Sequence, residues 1–164
     1  MKPMKRILAM TLTLVTVLSF SVFASASDSA PVIVEGENYT IIKQDGLPIM
    51  TRDVTWIETT HYTGKSAYST SITCAEGEGN ALNVFIDNTN GNGTLNVIFT
   101  IDGQEIAEED LPLLQLPKGK AQTYTIKHND KSDLGGSTIG IEIGSNDGHE
   151  MDFTIRARQY NYVG

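Results

Sequence analysis

Apolar residues alternate with polar ones over most of the chain, and the clearest stretch runs from Asn80 to Ile106. Leu82, Val84 and Ile86 form one alternating set, and Leu95, Val97, Phe99 and Ile101 form a second. Successive residues of a strand point to opposite sides of a sheet, so each set marks one buried face. Between them lies Asn88-Thr89-Asn90-Gly91-Asn92-Gly93. Asn and Gly tolerate the positive φ that tight connections require, and this predicts a β-hairpin with a short tip.

The same reading extends in both directions. Pro31 to Ile42 predicts one strand with a bulge at Gly36, ended by the turn Gln44-Asp45-Gly46. Pro48 forbids a central strand at its position. Arg52 to Tyr68 holds Trp56, His61, Tyr62 and Tyr68 around the turn Thr63-Gly64-Lys65-Ser66, and Ala67 to Thr73 predicts a strand. Ala75 to Gly79 reads as a flexible acidic link. Beyond the central stretch, Asp102-Gly103 marks a turn. Ile106 to Pro117 carries two prolines too close for a useful helix and is expected to be extended along a sheet edge.

Gln122 to His128 alternates again, with Tyr124 and Ile126 inward, and Asn129 to Gly136 is a polar loop. Ser137 to Ile143 places Ile139, Ile141 and Ile143 on one face, before a turn from Ser145 to His149. Met151 to Ala157 places Met151, Phe153, Ile155 and Ala157 on one side and turns Thr154, Arg156 and Arg158 to the other. No segment of ten or more residues has helical periodicity. Short strands with turn chemistry between them predict an all-β fold, a two-sheet sandwich or barrel.

The N-terminus has a different pattern. Lys2, Lys5 and Arg6 precede an apolar run from Ile7 to Phe23, and Ala24-Ser25-Ala26 follows. A basic start, an apolar middle and a small-residue end predict a secretory signal peptide over residues 1–26. The remaining 138 of 164 residues suit a single domain over 27–164. The expected location is outside the cell. Loss of the leader lowers Lys plus Arg from 12 to 9 against 20 Asp plus Glu, a charge of about −11. That balance argues against nucleic acid and against an anionic membrane surface as partners. It suits neutral ligands and cations.

Cys74 is the single cysteine, so no internal disulfide forms, and its strand-like surroundings predict a buried structural thiol. His61, His128 and His149 fall in or beside turns without metal-ligand spacing. No nucleophile elbow appears, and no catalytic residue is expected. A small hydrolase built from Glu35, Glu37, Glu150 or Asp152 is the weaker alternative.

In order, these pieces resemble the calcium-containing β-jelly-roll carbohydrate-binding modules, the galactose-binding-like kind. Val34-Glu35-Gly36-Glu37-Asn38-Tyr39 is similar to the opening I-E-A-E-N-Y pattern of those modules, and Thr63 to Tyr68 is similar to their Ser-Gly-Gly-x-Tyr segment. Leu82 to Asn88, Leu95 to Gly103 and Leu111-Pro112 follow as the family's middle does. Gly136 to Ile141 and Glu150 to Ile155 look like its closing strands. The resemblance implies a jelly roll, a structural calcium ion held by Glu35, Glu37 and Asp152, and a glycan or polysaccharide ligand. Two carboxylates two residues apart on one strand share a face and suit an oxygen-seeking ion.

For the sugar, the resemblance implies two aromatic platforms and a hydrogen-bonding side chain. Pyranose rings offer apolar C–H faces and polar rims. Tyr68 matches the first platform. Lys120 and Ala121 stand where the second would be, and Glu150 stands where an Asn would be. Trp56 and Tyr62 are the candidates for a replacement platform. A β-sandwich that contacts another extracellular protein, having lost the sugar cleft, is the rival expectation.

Overall fold

The computed structural model describes residues 30–46, 53–106, 108–130 and 132–162. The signal-like segment and Pro48 lie outside them. In chain order the strands are β1 (Val32–Glu35), β2 (Tyr39–Asp45), β3 (Asp53–Gly64), β4 (Tyr68–Thr73), β5 (Ala81–Asp87) and β6 (Leu95–Ile101). There follow β7 (Gln104–Glu105), a 3-10 turn (Glu108–Asp110), the one-turn helix α1 (Leu111–Leu114), β8 (Ala121–His128), β9 (Thr138–Ser145) and β10 (Met151–Tyr160).

From β3 onward the pairing is that of one long antiparallel ribbon folded on itself. β3 pairs with β10, β4 with β9, β5 with β8 and β6 with β7. Rolling the ribbon brings β5 beside β10 and β6 beside β9. Two packed sheets result, β1-β2-β8-β5-β10-β3 and β4-β9-β6-β7. That strand order is a jelly roll, an all-β sandwich, with the β1–β2 hairpin added to the larger sheet beside β8.

The ribbon's tip is the turn Asp102-Gly103, where both residues take positive φ (51° and 80°) as a two-residue hairpin turn requires. The Asn80 to Ile106 stretch is therefore not a hairpin. β5 and β6 lie in different sheets, and Asn88 to Thr94 crosses between them. Alternation identified the buried faces correctly, but the two faces meet across the core instead of side by side. Leu82, Val84 and Ile86 are buried in one sheet, and Leu95, Val97, Phe99 and Ile101 in the other. Tyr124, Ile126, Ile139, Ile141, Ile143, Met151, Phe153, Ile155 and Ala157 complete the interior as expected. Each large side chain among them contributes about 1.5–3 kcal/mol of transfer free energy.

Asn88 anchors the crossover. Its side chain is fully buried, and Nδ2 donates to the carbonyls of Gly93 (2.9 Å), Leu116 (3.3 Å) and Pro117 (3.2 Å). Its backbone N–H donates to Lys120 O at 2.9 Å. Gly91 is needed for close approach and not for positive φ, because a methyl group there would land on Asn88 Oδ1.

Two further expectations are corrected. Pro31 to Ile42 is a hairpin, not one bulged strand: Glu35 pairs with Thr40, and the Gly36 N–H donates to Tyr39 O at 2.8 Å to close the turn. Gly36 has no room for a Cβ because the buried Tyr39 ring covers it. Ile106 to Pro117 is not extended throughout, since it contains the 3-10 turn and α1. Pro112 sits in the first turn of α1, where a missing N–H costs little. Leu114 and Leu116 then bury in the core.

Candidate functional site

The expected ligand residues divide between the two ends of β3. Tyr62, near one end, stacks on Tyr68 of β4 (5.5 Å between ring centroids) and on Phe153 of β10 (5.3 Å), and Tyr68 also meets Phe153 (5.9 Å). The Tyr62 hydroxyl donates to Ser66 O at 2.5 Å. Both tyrosines are partly buried and packed against the core, so their faces close the β3–β4 side of the sandwich and do not form an open platform. Glu150 is exposed in the neighbouring β9–β10 loop, where its carbonyl accepts from Asn92 Nδ2 at 3.1 Å.

Trp56 lies six residues back along β3, roughly 20 Å away at strand spacing. It falls where the β3–β10 register slips, between the pairs Thr55–Arg158 and Ile57–Ala157. The residue is 37% exposed, while Nε1 donates to Gln159 Oε1 at 3.1 Å. Gln159 is buried and also bonds Ala75 and Gly79. Trp56 therefore does not extend the tyrosine pair into one surface.

The expected calcium ligands are also dispersed. Following the register across the larger sheet, Glu35 is level with Thr40, Lys127, Ala81 and Tyr160. Asp152 lies eight residues from Tyr160 and four strands from β1, about 26 Å along the sheet and 19 Å across it. The Asp152 carboxylate instead accepts from His61 Nε2 at 2.6 Å. Glu35 ends β1 and Glu37 lies in the turn after it, so their two-residue spacing does not put them on one strand face. Glu35, Glu37 and Asp152 do not fit one ion, and among the described residues no three His, Cys, Asp or Glu side chains form a metal-holding group.

Glu37 does line an open recess of about 470 Å³ with Asn38, Asp102, His128, Asn129 and Asp130. The carboxylates of Asp102 and Asp130 are occupied there by the backbone N–H groups of Thr138 (2.7 Å) and Ser132 (2.9 Å). The bonds from Ser132 lower the Asp130 pKa. His128 lies between the hydroxyls of Ser132 (2.9 Å) and Ser137 (3.1 Å). Cys74 is buried, and burial, followed by the nearby Asp102 and Asp133, raises its pKa to about 11. That thiol is a structural group, unsuited to attack as a thiolate.

The site that sequence reasoning missed is a cleft of about 480 Å³ on the outer face of the smaller sheet. Inward residues of β4, β9 and β6 fill the core, so their alternate neighbours form this floor. Ser69 is level with Glu142 and Ile98, and Ser71 with Gly140, Thr100 and Glu105. Ile106 and Leu111 form a wall. Gly140, on the middle strand, keeps the floor shallow: a Cβ there would stand 3.3 Å from Thr100 Cβ. The available signal was the outward half of the β4 and β9 alternations, Ser69, Ser71, Gly140 and Gly144, which is small or polar, beside the outward Ile98 of β6.

A scan against protein-family models, a search of curated proteins and a search of solved structures each give no match. The chemistry of the cleft has therefore to be read from its residues. The outward hydroxyls of Ser69, Ser71 and Thr100 offer donors and acceptors, Ile98 and Leu111 offer apolar surface, and Glu105 and Glu142 supply charge. The cleft is open to solvent, and no histidine or cysteine is among the described residues that line it. This arrangement suits binding of an extended, hydroxyl-rich ligand.

Proposed function

We propose that the protein is a secreted, non-catalytic binding protein that takes a glycan along the cleft of the smaller sheet. The observation that carries this reading is the pairing of Ser69, Ser71 and Thr100 with Ile98 and Leu111 in one open cleft. Sugar rims need hydrogen-bonding partners while their C–H faces favour apolar surface. The jelly-roll strand order supports the reading by placing a sheet face where a chain-like ligand can lie. The leader-like N-terminus supports an extracellular location. The reading assigns no role to the calcium ion implied by the resemblance, whose expected ligands Glu35, Glu37 and Asp152 lie apart.

Retention on immobilised polysaccharides tests the proposal. Ser71→Trp, at an exposed position of the floor, is expected to abolish retention while leaving the fold intact. Trp56→Ala is expected to leave retention unchanged. Retention unaffected by Ser71→Trp would remove the cleft from the account.

One feature favours the rival reading, contact with another protein. Among the described residues β1 is an edge strand of the larger sheet, and Ile33 on it is 52% exposed. Unpaired backbone groups beside an exposed apolar side chain are a route to strand addition.

A further inference from the structure

We infer that the cleft selects a glycan whose sugars carry free, protonated amines over neutral and anionic glycans; this rests on the glycan reading above. The argument is charge complementarity between two defined carboxylates and the ligand. Glu105 and Glu142 are the only ionisable side chains among the described residues lining the cleft. They stand on opposite sides of β6: Glu142 on β9 faces Ile98, and Glu105 on β7 faces Thr100. Two strand spacings across the sheet and two residues along it separate them, about 12 Å. A ring laid across Ile98 and Thr100 therefore has a carboxylate on either flank.

Among the described residues no Lys or Arg lines the cleft, and Lys43 lies behind its wall, bound to the carbonyls of Leu113 and Gln115. Lys127, Arg156 and Arg158 point away from the core on the larger sheet, where Arg156 lies 4.7 Å over the Phe85 ring and Lys127 lies 5.2 Å from the Tyr162 ring. A core about 10 Å thick separates the two sheets, comparable to the Debye length at physiological salt. No described residue lining the cleft carries a positive charge to offset the two carboxylates. A uronic or sulfated polymer meets repulsion there, a neutral polymer only hydrogen bonds, and an amine-bearing polymer a charge-assisted hydrogen bond to each carboxylate.

The test compares oligomers of glucosamine, of N-acetylglucosamine and of glucuronic acid by calorimetry at low and physiological salt. The first two share a ring and differ in whether the nitrogen carries charge. The expected result is binding of the glucosamine oligomer about tenfold tighter than the acetylated one, as one or two charge-assisted contacts supply, with no binding of the acidic oligomer. Glu105→Gln with Glu142→Gln should remove the preference without lowering the melting temperature. Glu35→Gln with Glu37→Gln, on the other sheet, should keep it.

Equal binding of the two amino-sugar oligomers would overturn the inference and leave the glycan reading standing. Absence of binding to every oligomer would overturn both. A preference lost equally in the Glu35 and Glu37 variant, or matched by polylysine, would show general attraction of a polycation to an acidic protein and also overturn it.

Discussion

Lys43 and Tyr124 stand directly opposite each other on β2 and β8, and together they bind the three carbonyls that end α1. Lys43 Nζ donates to Leu113 O at 2.9 Å and Gln115 O at 2.6 Å, and the Tyr124 hydroxyl donates to Leu114 O at 2.8 Å. A helix end leaves such carbonyls without intrahelical partners, and a cation there also meets the helix dipole favourably. This pair holds the segment that walls the cleft. Lys43→Met and Tyr124→Phe should each lower stability by about 1–3 kcal/mol. The double variant should cost less than the sum, because the two side chains hold one element. Denaturant unfolding of the four proteins checks both statements.

The crossover makes a second prediction about glycine. Gly91→Ala should destabilise by more than about 1 kcal/mol, since Asn88 Oδ1 occupies the position of the new methyl group. Gly144→Ala, with no atom within 4 Å of its Cβ position and no positive φ, should stay within about 0.5 kcal/mol of the parent. Thermal unfolding separates the two. A harmless Gly91→Ala would mean the crossover is packed differently.

Alkaline pH should unfold the protein through buried acids. Burial holds the Cys74 thiol at about 11 against an ordinary 9.0, and burial raises the Tyr124 phenol well above 10.0. Groups whose folded pKa is raised contribute stability that is complete below the unfolded value and lost above it. For Cys74 the window is pH 9 to 11, with a slope on the order of 1 kcal/mol per pH unit. Burial lowers the Lys43 pKa from 10.5, so its contribution has the opposite sign and grows as the pH approaches that value. A pH series of unfolding curves should therefore fall less steeply above pH 9 for Cys74→Ala and more steeply for Lys43→Met.

Separation of the expected calcium ligands is testable by coupling. Glu37→Gln and Asp152→Asn, measured singly and together in calcium, should be additive within about 0.3–0.5 kcal/mol. A larger coupling, abolished by chelator, would place both residues on a common ion.

Much of the fold was legible because burial imposes period two on strands such as β6, β9 and β10, and Tyr124, Ile139 and Phe153 all face where alternation puts them. Pairing was not legible in the same way. Alternation tells which side of a strand is buried, not whether its neighbour lies beside it or across the core. The Asn/Gly run between β5 and β6 therefore read as a hairpin turn, when its composition serves the buried side chain of Asn88. The weaker-looking Asp102-Gly103 is the true tip. The site was less legible still. Tyr62 and Tyr68 suggested a platform because nothing local distinguishes an exposed ring from one stacked on Phe153. The cleft residues drew no notice, since serine, glycine and threonine facing outward are what any solvated sheet shows.

The measurement that bears most directly on the account is a map of backbone amide shifts during titration with a bound glycan oligomer. Binding in the cleft predicts that the largest shifts fall on Ser69, Ser71, Ile98, Thr100, Gly140 and Glu142. Largest shifts at Trp56, or at Tyr62, Tyr68 and Glu150, would contradict it.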